Sequence, residues 1–342
     1  MTDVTKGVER MKRDQAAIRE IVKEKLSISS FSLVELLKIL SEHHWSIHQK
    51  TFTLAMDRVG VVQGVEHIRY APLILGSGAR GEQLLFSDQD HAFIYDTHAD
   101  VPPSFIDWKA YFSQISHVYS ALLYELGYPL CSGNVMMSNP RWRGTASEWE
   151  ERIQEYSDQP IWENIRFLLI ALEARPLIGD PDLYVPIQKL IANHIASSRY
   201  MCWKIADQGL MERIPGIKLT KRKEPYRDVE IAVKERLYTP LVNIVRLWAL
   251  HTRIDAISTF KRLEQIKTLG VWPQTLADDV TSALVGVLSI RLRQQWRKVG
   301  VEGDQDPSLW LSNSDVELLN EAFVTLRKLL RITAKFFPWP RR

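Results

Sequence analysis

Leu73 to Asp96 reads LILGSGARGEQLLFSDQDHAFIYD, and this stretch decides the fold. An apolar run feeds a Gly76-Ser77-Gly78 turn, and an Asp-x-Asp pair, Asp88 and Asp90, heads a second apolar run. Side chains of a strand alternate between faces, so carboxylates at i and i+2 project the same way, about 7 Å apart along the backbone. Two like charges so placed repel unless a cation lies between them. Mg²⁺ (or Mn²⁺) is the expected cation, because it is held by one or two carboxylates together with substrate phosphates. The glycines of the turn let the backbone bring its N–H groups close to a triphosphate, and the Ser77 hydroxyl adds a further donor. The pattern is not a Walker loop, since no Gly-Lys-Ser/Thr follows. Nor is it a dinucleotide-binding turn, where the acidic residue follows a full βαβ unit.

A Gly-Ser turn followed by Asp-x-Asp at the head of the next strand resembles the signature of the DNA polymerase β-like nucleotidyltransferases. Arg80-Gly81-Glu82 and Ser87-Asp88-Gln89-Asp90 narrow the resemblance to the branch holding the bacterial uridylyltransferases of nitrogen-signalling proteins. Within it, the chain is most similar to a family of bacterial nucleotidyltransferase-like proteins often fused to CBS or cyclic-nucleotide-binding domains. Cys131 to Pro140 (CSGNVMMSNP) with Trp142-Arg143 resembles that family's second block, and Glu173-Ala174-Arg175-Pro176 with Gly179-Asp180 a third. The resemblance runs from about Ser32 to the last helix.

It implies an α+β fold, a polymerase β-like core with a small mixed sheet plus a C-terminal helical bundle. It also implies transfer of a nucleoside monophosphate from an NTP to a hydroxyl on a protein or small molecule, with release of pyrophosphate. Asp88 and Asp90 are then the catalytic metal ligands, and Gly76, Ser77 and Arg80 the nucleotide contacts. Arg80 is close enough to the turn to reach a phosphate or to brace carboxylates, with Glu82 as a partner. Many relatives carry a third metal-binding carboxylate on a neighbouring strand, yet Gly133 to Ser138 holds no acid. Asn134, Asp96 and Glu173 are the substitutes to examine. This gap keeps open a second class of function, a nucleotide-sensing module that docks a partner through its helical region.

The chain has 342 residues, 45% hydrophobic and 25% charged, enough for two cores without large-scale disorder. A net charge of +3 suits a polyphosphate ligand but falls well short of a dedicated nucleic-acid binder. Two cysteines, Cys131 and Cys202, with no CxxC, argue for a reducing compartment and against a disulfide framework or structural zinc. No signal peptide core and no apolar run near the roughly 18 residues of a membrane span is evident, so the expected location is cytoplasmic.

Three regions are expected: a helical lead-in (1–67), the catalytic core (68–144) and a helical substrate-binding region (145–342). The lead-in holds a charged helix from Val8 to Lys25 and a second from the Ser32/Glu35 capping box to Val59. In the core, Pro102 and Pro103 open a helix through Trp108 and Leu122 that ends at Gly127. A strand from Tyr128 to Met137 is expected beside the Asp-x-Asp strand. Capping boxes at Thr145/Glu148 and Ser314/Glu317 start later helices, with others over Trp162 to Leu172, Pro181 to Ala196, Val229 to His251, Phe260 to Leu269 and Leu276 to Lys298. Gly300 to Pro307 reads as a loop, and the tail from Pro338 as frayed. His44 and His48 stand at i and i+4, but with no Glu-x-x-His or cysteine companion they read as packing residues. The basic residues Lys218, Lys221, Arg222, Lys223 and Arg227 read as a solvated loop, and Arg291, Arg293 and Arg297 follow helical spacing without a stacking platform for bases. Lys234 and Arg246 fall where the resemblance places the substrate-binding region.

Overall fold

The computed structural model describes residues 3–27, 32–97, 106–211, 233–297 and 311–338. Pro102, Pro103, the basic segment from Lys218 to Arg227, the start of the Val229 helix, the loop 300–307 and the tail beyond Pro338 lie outside the described residues. The chain divides into two compact units, Met1–Asn193 and His194–Arg342.

In the first unit, α1 (Asp3–Ser27) and α2 (Leu33–Val59) precede a four-stranded sheet of β1 (Arg69–Ile74), β2 (His91–Asp96), β3 (Arg143–Thr145) and β4 (Arg175–Pro176). The strand order is β3-β2-β1-β4. β1 pairs antiparallel with β2 and β4, whereas β2 and β3 are parallel, so the sheet is mixed. The fold is α+β, as the sequence implies.

Helix α2 begins where Ser32 Oγ accepts the Glu35 N–H and ends at Gly60, whose φ of +94° suits only a residue without a side chain. Leu33, Leu36, Leu37, Leu40, Ile47, Phe52 and Ala55 recur at helical spacing and are buried. Ile47, Phe52 and Ala55 pack against α4 (Trp108–Glu125), which is capped by Asp107 accepting the Ala110 N–H. Phe93 and Tyr95 of β2 stack into this layer against Phe52 and Phe112. Burying rings of this size contributes about 1.5–3 kcal/mol each, which fixes β2 in register under the helices. By strand alternation, Gln89, His91, Phe93 and Tyr95 face α2 and α4, and Asp88, Asp90, Ala92 and Ile94 face away from them.

Helices α5 (Ala146–Asp158), α6 (Trp162–Leu172) and α7 (Val185–Ser197) follow. Thr145 and Glu148 form the expected reciprocal capping box. Trp149 donates its indole N–H to Phe93 O at 3.2 Å and stacks on Phe167, so α5 and α6 are tied to β2.

The expected strand from Tyr128 to Met137 does not form. Asn134 donates its N–H to Cys131 O at 2.9 Å and takes φ +56°, a tight turn that breaks the run. The segment still lies beside the Asp-x-Asp stretch, through Gln89 N–H to Pro129 O at 3.0 Å and His91 N–H to Val135 O at 3.1 Å. The neighbouring strand is instead β3, six residues beyond Met137 at its first residue.

The described part of the second unit is helical: α8 (Arg199–Met211), a π-helical turn (Lys234–Tyr238) continuing into α9 (Thr239–His251), α10 (Thr259–Thr268), α11 (Gln274–Arg297) and α12 (Asn313–Phe336). Trp248 anchors it, donating its N–H to Thr333 Oγ1 at 2.9 Å and packing against Trp272, Phe336 and Phe337. The last helix is capped by Ser312 with Asp315, not by Ser314 with Glu317: both pairs have the right spacing, and Asp315 is buried where it also pairs with Arg293. Arg291 lies over the Tyr238 ring and Arg246 on Asn243, so these cations are engaged within the unit. No described helix is long and apolar enough to cross a membrane.

Candidate active site

β1 delivers the chain to Leu75, and Gly76–Arg80 then coils into a single helical turn, α3, instead of an open loop. Gly81, at φ +74°, closes it with its N–H on Gly78 O, and Glu82 N–H reaches Ser77 O at 2.8 Å. Leu75 N–H donates to Asp90 O at 3.0 Å, which carries the β1–β2 ladder past the end of β2 to the acidic pair. The turn and the carboxylates therefore meet at one end of the sheet.

Gly76 has φ +55°, and a Cβ built there would stand 2.5 Å from Asp90 Oδ2. The carboxylate thus lies directly over the bare α-carbon, a place only glycine leaves open. Gly76→Ala combines left-handed strain of about 1–2 kcal/mol with displacement of Asp90. Displacement on this scale is expected to cost roughly 10²-fold in turnover, with only a small fall in melting temperature. Activity equal to wild type in a folded Gly76→Ala would show that Asp90's position is not critical.

Behind the pair, the intervening residue is locked. Gln89 is fully buried, donating its amide to Ser120 O (3.1 Å) and Tyr128 O (2.9 Å) and accepting from His91 Nε2 at 3.0 Å. His91 Nδ1 accepts the Met137 N–H, which leaves the proton on Nε2. His44 Nε2 faces Leu84 O at 2.8 Å, and a carbonyl only accepts, so Nδ1 accepts a hydrogen bond from the Tyr128 hydroxyl at 2.7 Å. His48 Nδ1 meets the Tyr119 hydroxyl. His44 and His48 are thus buried packing residues bonded to phenols.

These imidazoles are neutral. Burial pushes His44 down from its ordinary value to about 4, and His48 well below the ordinary range. An unfolded chain takes up these protons below about pH 6.5, while in the folded chain His44 resists until about pH 4. Stability is therefore full above that window and falls as the solution is acidified through it. The loss between pH 7 and pH 5 is expected to be about 2 kcal/mol for His44, and His48 adds to it in the same direction. Urea midpoints across this range check it, with the slope reduced in His48→Gln; a flat profile refutes it.

Arg80, 7% exposed, reaches Glu82 Oε2 with Nε at 2.9 Å and Glu173 Oε2 with Nη1 at 2.8 Å, both acids being buried. The segment that carries Glu173 is thereby fastened to the Gly-Ser turn. Arg175, two residues on, donates to Ala79 O and lies over Trp45. Asp96 is at the far end of β2, 3.9 Å from Arg69.

Among the described residues, one group of three or more ligating side chains converges: Asp88, Asp90 and Cys131, with donor atoms within 4.8 Å of one another. Cys131 is the member that sequence reasoning missed, because strand spacing says nothing about a turn 41 residues downstream. Its thiol hydrogen-bonds to Asp90, and burial first, then Asp90's charge, push it up to about 12. Two carboxylates on one face, beside a turn with no side chain in the way, suit a divalent cation.

Residues 16–162 match the family described as "Putative nucleotidyltransferase DUF294", and residues 212–337 its companion, "Putative nucleotidyltransferase substrate binding domain". The chain belongs to this nucleotidyltransferase family. The first nucleotidyltransferase match contains Gly76, Ser77, Arg80, Asp88, Asp90 and Cys131; Glu173 lies beyond it. The second falls in the helical unit. A search of curated proteins finds no match.

Proposed function

We propose that the chain transfers a nucleoside monophosphate from an NTP to a hydroxyl acceptor, on a protein or a small molecule, using Mg²⁺ or Mn²⁺. The observation that supports it is the convergence of the Asp88 and Asp90 carboxylates on the backbone turn at Gly76. In this reaction the acceptor oxygen bonds to the α-phosphorus, the bond to the β-phosphate oxygen breaks, the hydroxyl proton passes to solvent, and pyrophosphate leaves. Divalent ions bound by Asp88 and Asp90 would lower the hydroxyl's pKa and offset charge on the leaving oxygen. Gly76 and Ser77 present backbone N–H groups toward the triphosphate. Arg80 holds the turn in place through Glu82 and Glu173, the bracing role open to it beside the phosphates. The rest of the work is positioning, which a locked Gln89 between two metal ligands serves.

In this reading residues 68–144 are the catalytic core, 1–67 its helical lead-in, and 145–342 supply the acceptor-binding surface. The test is incubation with each α-labelled NTP, either metal and cell lysate. Label on an acceptor with matching pyrophosphate release supports transfer; no label and no pyrophosphate with any NTP refutes it. The commitment of Glu173 to Arg80 favours one competing reading, a nucleotide-sensing module without turnover. That reading requires saturable NTP binding by calorimetry with no pyrophosphate formed.

A further inference from the structure

The third side chain at the acidic pair carries sulfur, not oxygen. Cys131 Sγ and one oxygen each from Asp88 and Asp90 lie within 4.8 Å of one another. Zinc binds thiolate sulfur at about 2.3 Å and carboxylate oxygen at about 2.0–2.2 Å, so the donors of a tetrahedral site stand roughly 3.4–3.6 Å apart, and donors within 4.8 Å of one another reach that spacing by side-chain shifts of up to about 1.2 Å. The sulfur is also held in place. Pro129 O accepts the Gln89 N–H and Val135 O the His91 N–H, so the backbone on both sides of Cys131 is bonded to the segment that carries the aspartates. Between these anchors, the Asn134 N–H on Cys131 O closes the turn that presents the thiol.

We infer that Asp88, Asp90 and Cys131 form a mixed oxygen and sulfur site for a thiophilic divalent ion of the Zn²⁺ class, which binds there in competition with Mg²⁺. The inference rests on the proposed reading of the two aspartates as metal ligands. Mg²⁺ demands oxygen and gains nothing from the thiol, whereas Zn²⁺ gains a strong third bond. On coordination the Cys131 S–H bond gives up its proton to water and a metal–sulfur bond forms, with no change of oxidation state. Such an ion would occupy the place of the catalytic one, which makes the site a point of inhibition by zinc.

Cd²⁺ titration of the full chain in excess Mg²⁺ tests this, read by the ultraviolet sulfur-to-cadmium charge-transfer band and, in parallel, by Zn²⁺ calorimetry. The wild type should develop the band, Cys202→Ser should keep it, and Cys131→Ser should lose it. Zn²⁺ affinity should fall in Cys131→Ser by at least roughly tenfold, the scale on which even indirect ligand support acts, with Mg²⁺ affinity unchanged. A band and a Zn²⁺ affinity indifferent to Cys131→Ser overturn the inference. If Asp88→Asn still weakens Mg²⁺ binding in that case, the reading of the aspartates stands; if Asp88→Asn affects no metal, both fall.

Discussion

Asp88→Asn and Asp90→Asn are each expected to reduce nucleotidyl transfer by roughly 10³-fold or more while leaving the fold intact. Asparagine keeps the shape of aspartate but loses the charge that holds a cation. Both side chains are only half-buried at the end of the sheet, and removing one of two like charges relieves repulsion, so unfolding midpoints should hold steady or rise slightly. The two variants should differ in one respect. Asp90 also lies over Gly76 and accepts a hydrogen bond from the Cys131 thiol, so Asp90→Asn disturbs the turn as well as the metal. The measurement is initial rate of labelled transfer with the urea midpoint as control. Full rates in both variants would remove the acidic pair from the chemistry.

Arg80→Met is expected to lower stability of the first unit by about 3–5 kcal/mol. Glu82 and Glu173 are fully buried, and Arg80 meets each through a different edge of its guanidinium. Removing the cation strands two carboxylates at low dielectric, the costly way to break a buried ion pair. A melting temperature lower by roughly 10 °C follows for a unit of this size. Arg80→Lys should recover only part of the loss, because one ammonium cannot serve both edges of the fork. Acidification should narrow the gap between wild type and Arg80→Met, since the stranded carboxylates can then protonate. A stability change within 1 kcal/mol would mean that the two acids find other partners.

Much of the fold follows from short-range rules. The Ser32 and Thr145 caps, the apolar spacing of α2 and the span of α6 are local properties, and they form as the sequence predicts. So is the shared face of Asp88 and Asp90, since alternation along extended chain needs no distant partner. The missing strand shows the limit of such rules. Tyr128 to Met137 has strand-like composition, but the turn at Asn134 and the competition of Arg143 to Thr145 for the β2 edge are settled by which backbone groups find partners. The choice of Ser312 over Ser314 is of the same kind, made by the burial of Asp315 against Arg293.

The order of residues alone determined where the turn, the acidic pair and the helices lie, because each depends on neighbours within a few positions. Only the folded chain decided that Cys131 would join Asp88 and Asp90, and that Glu173 would pair with Arg80 across 93 residues. Those pairings depend on burial and on the need to match every charge and donor removed from water, and that balance is struck by the whole structure at once.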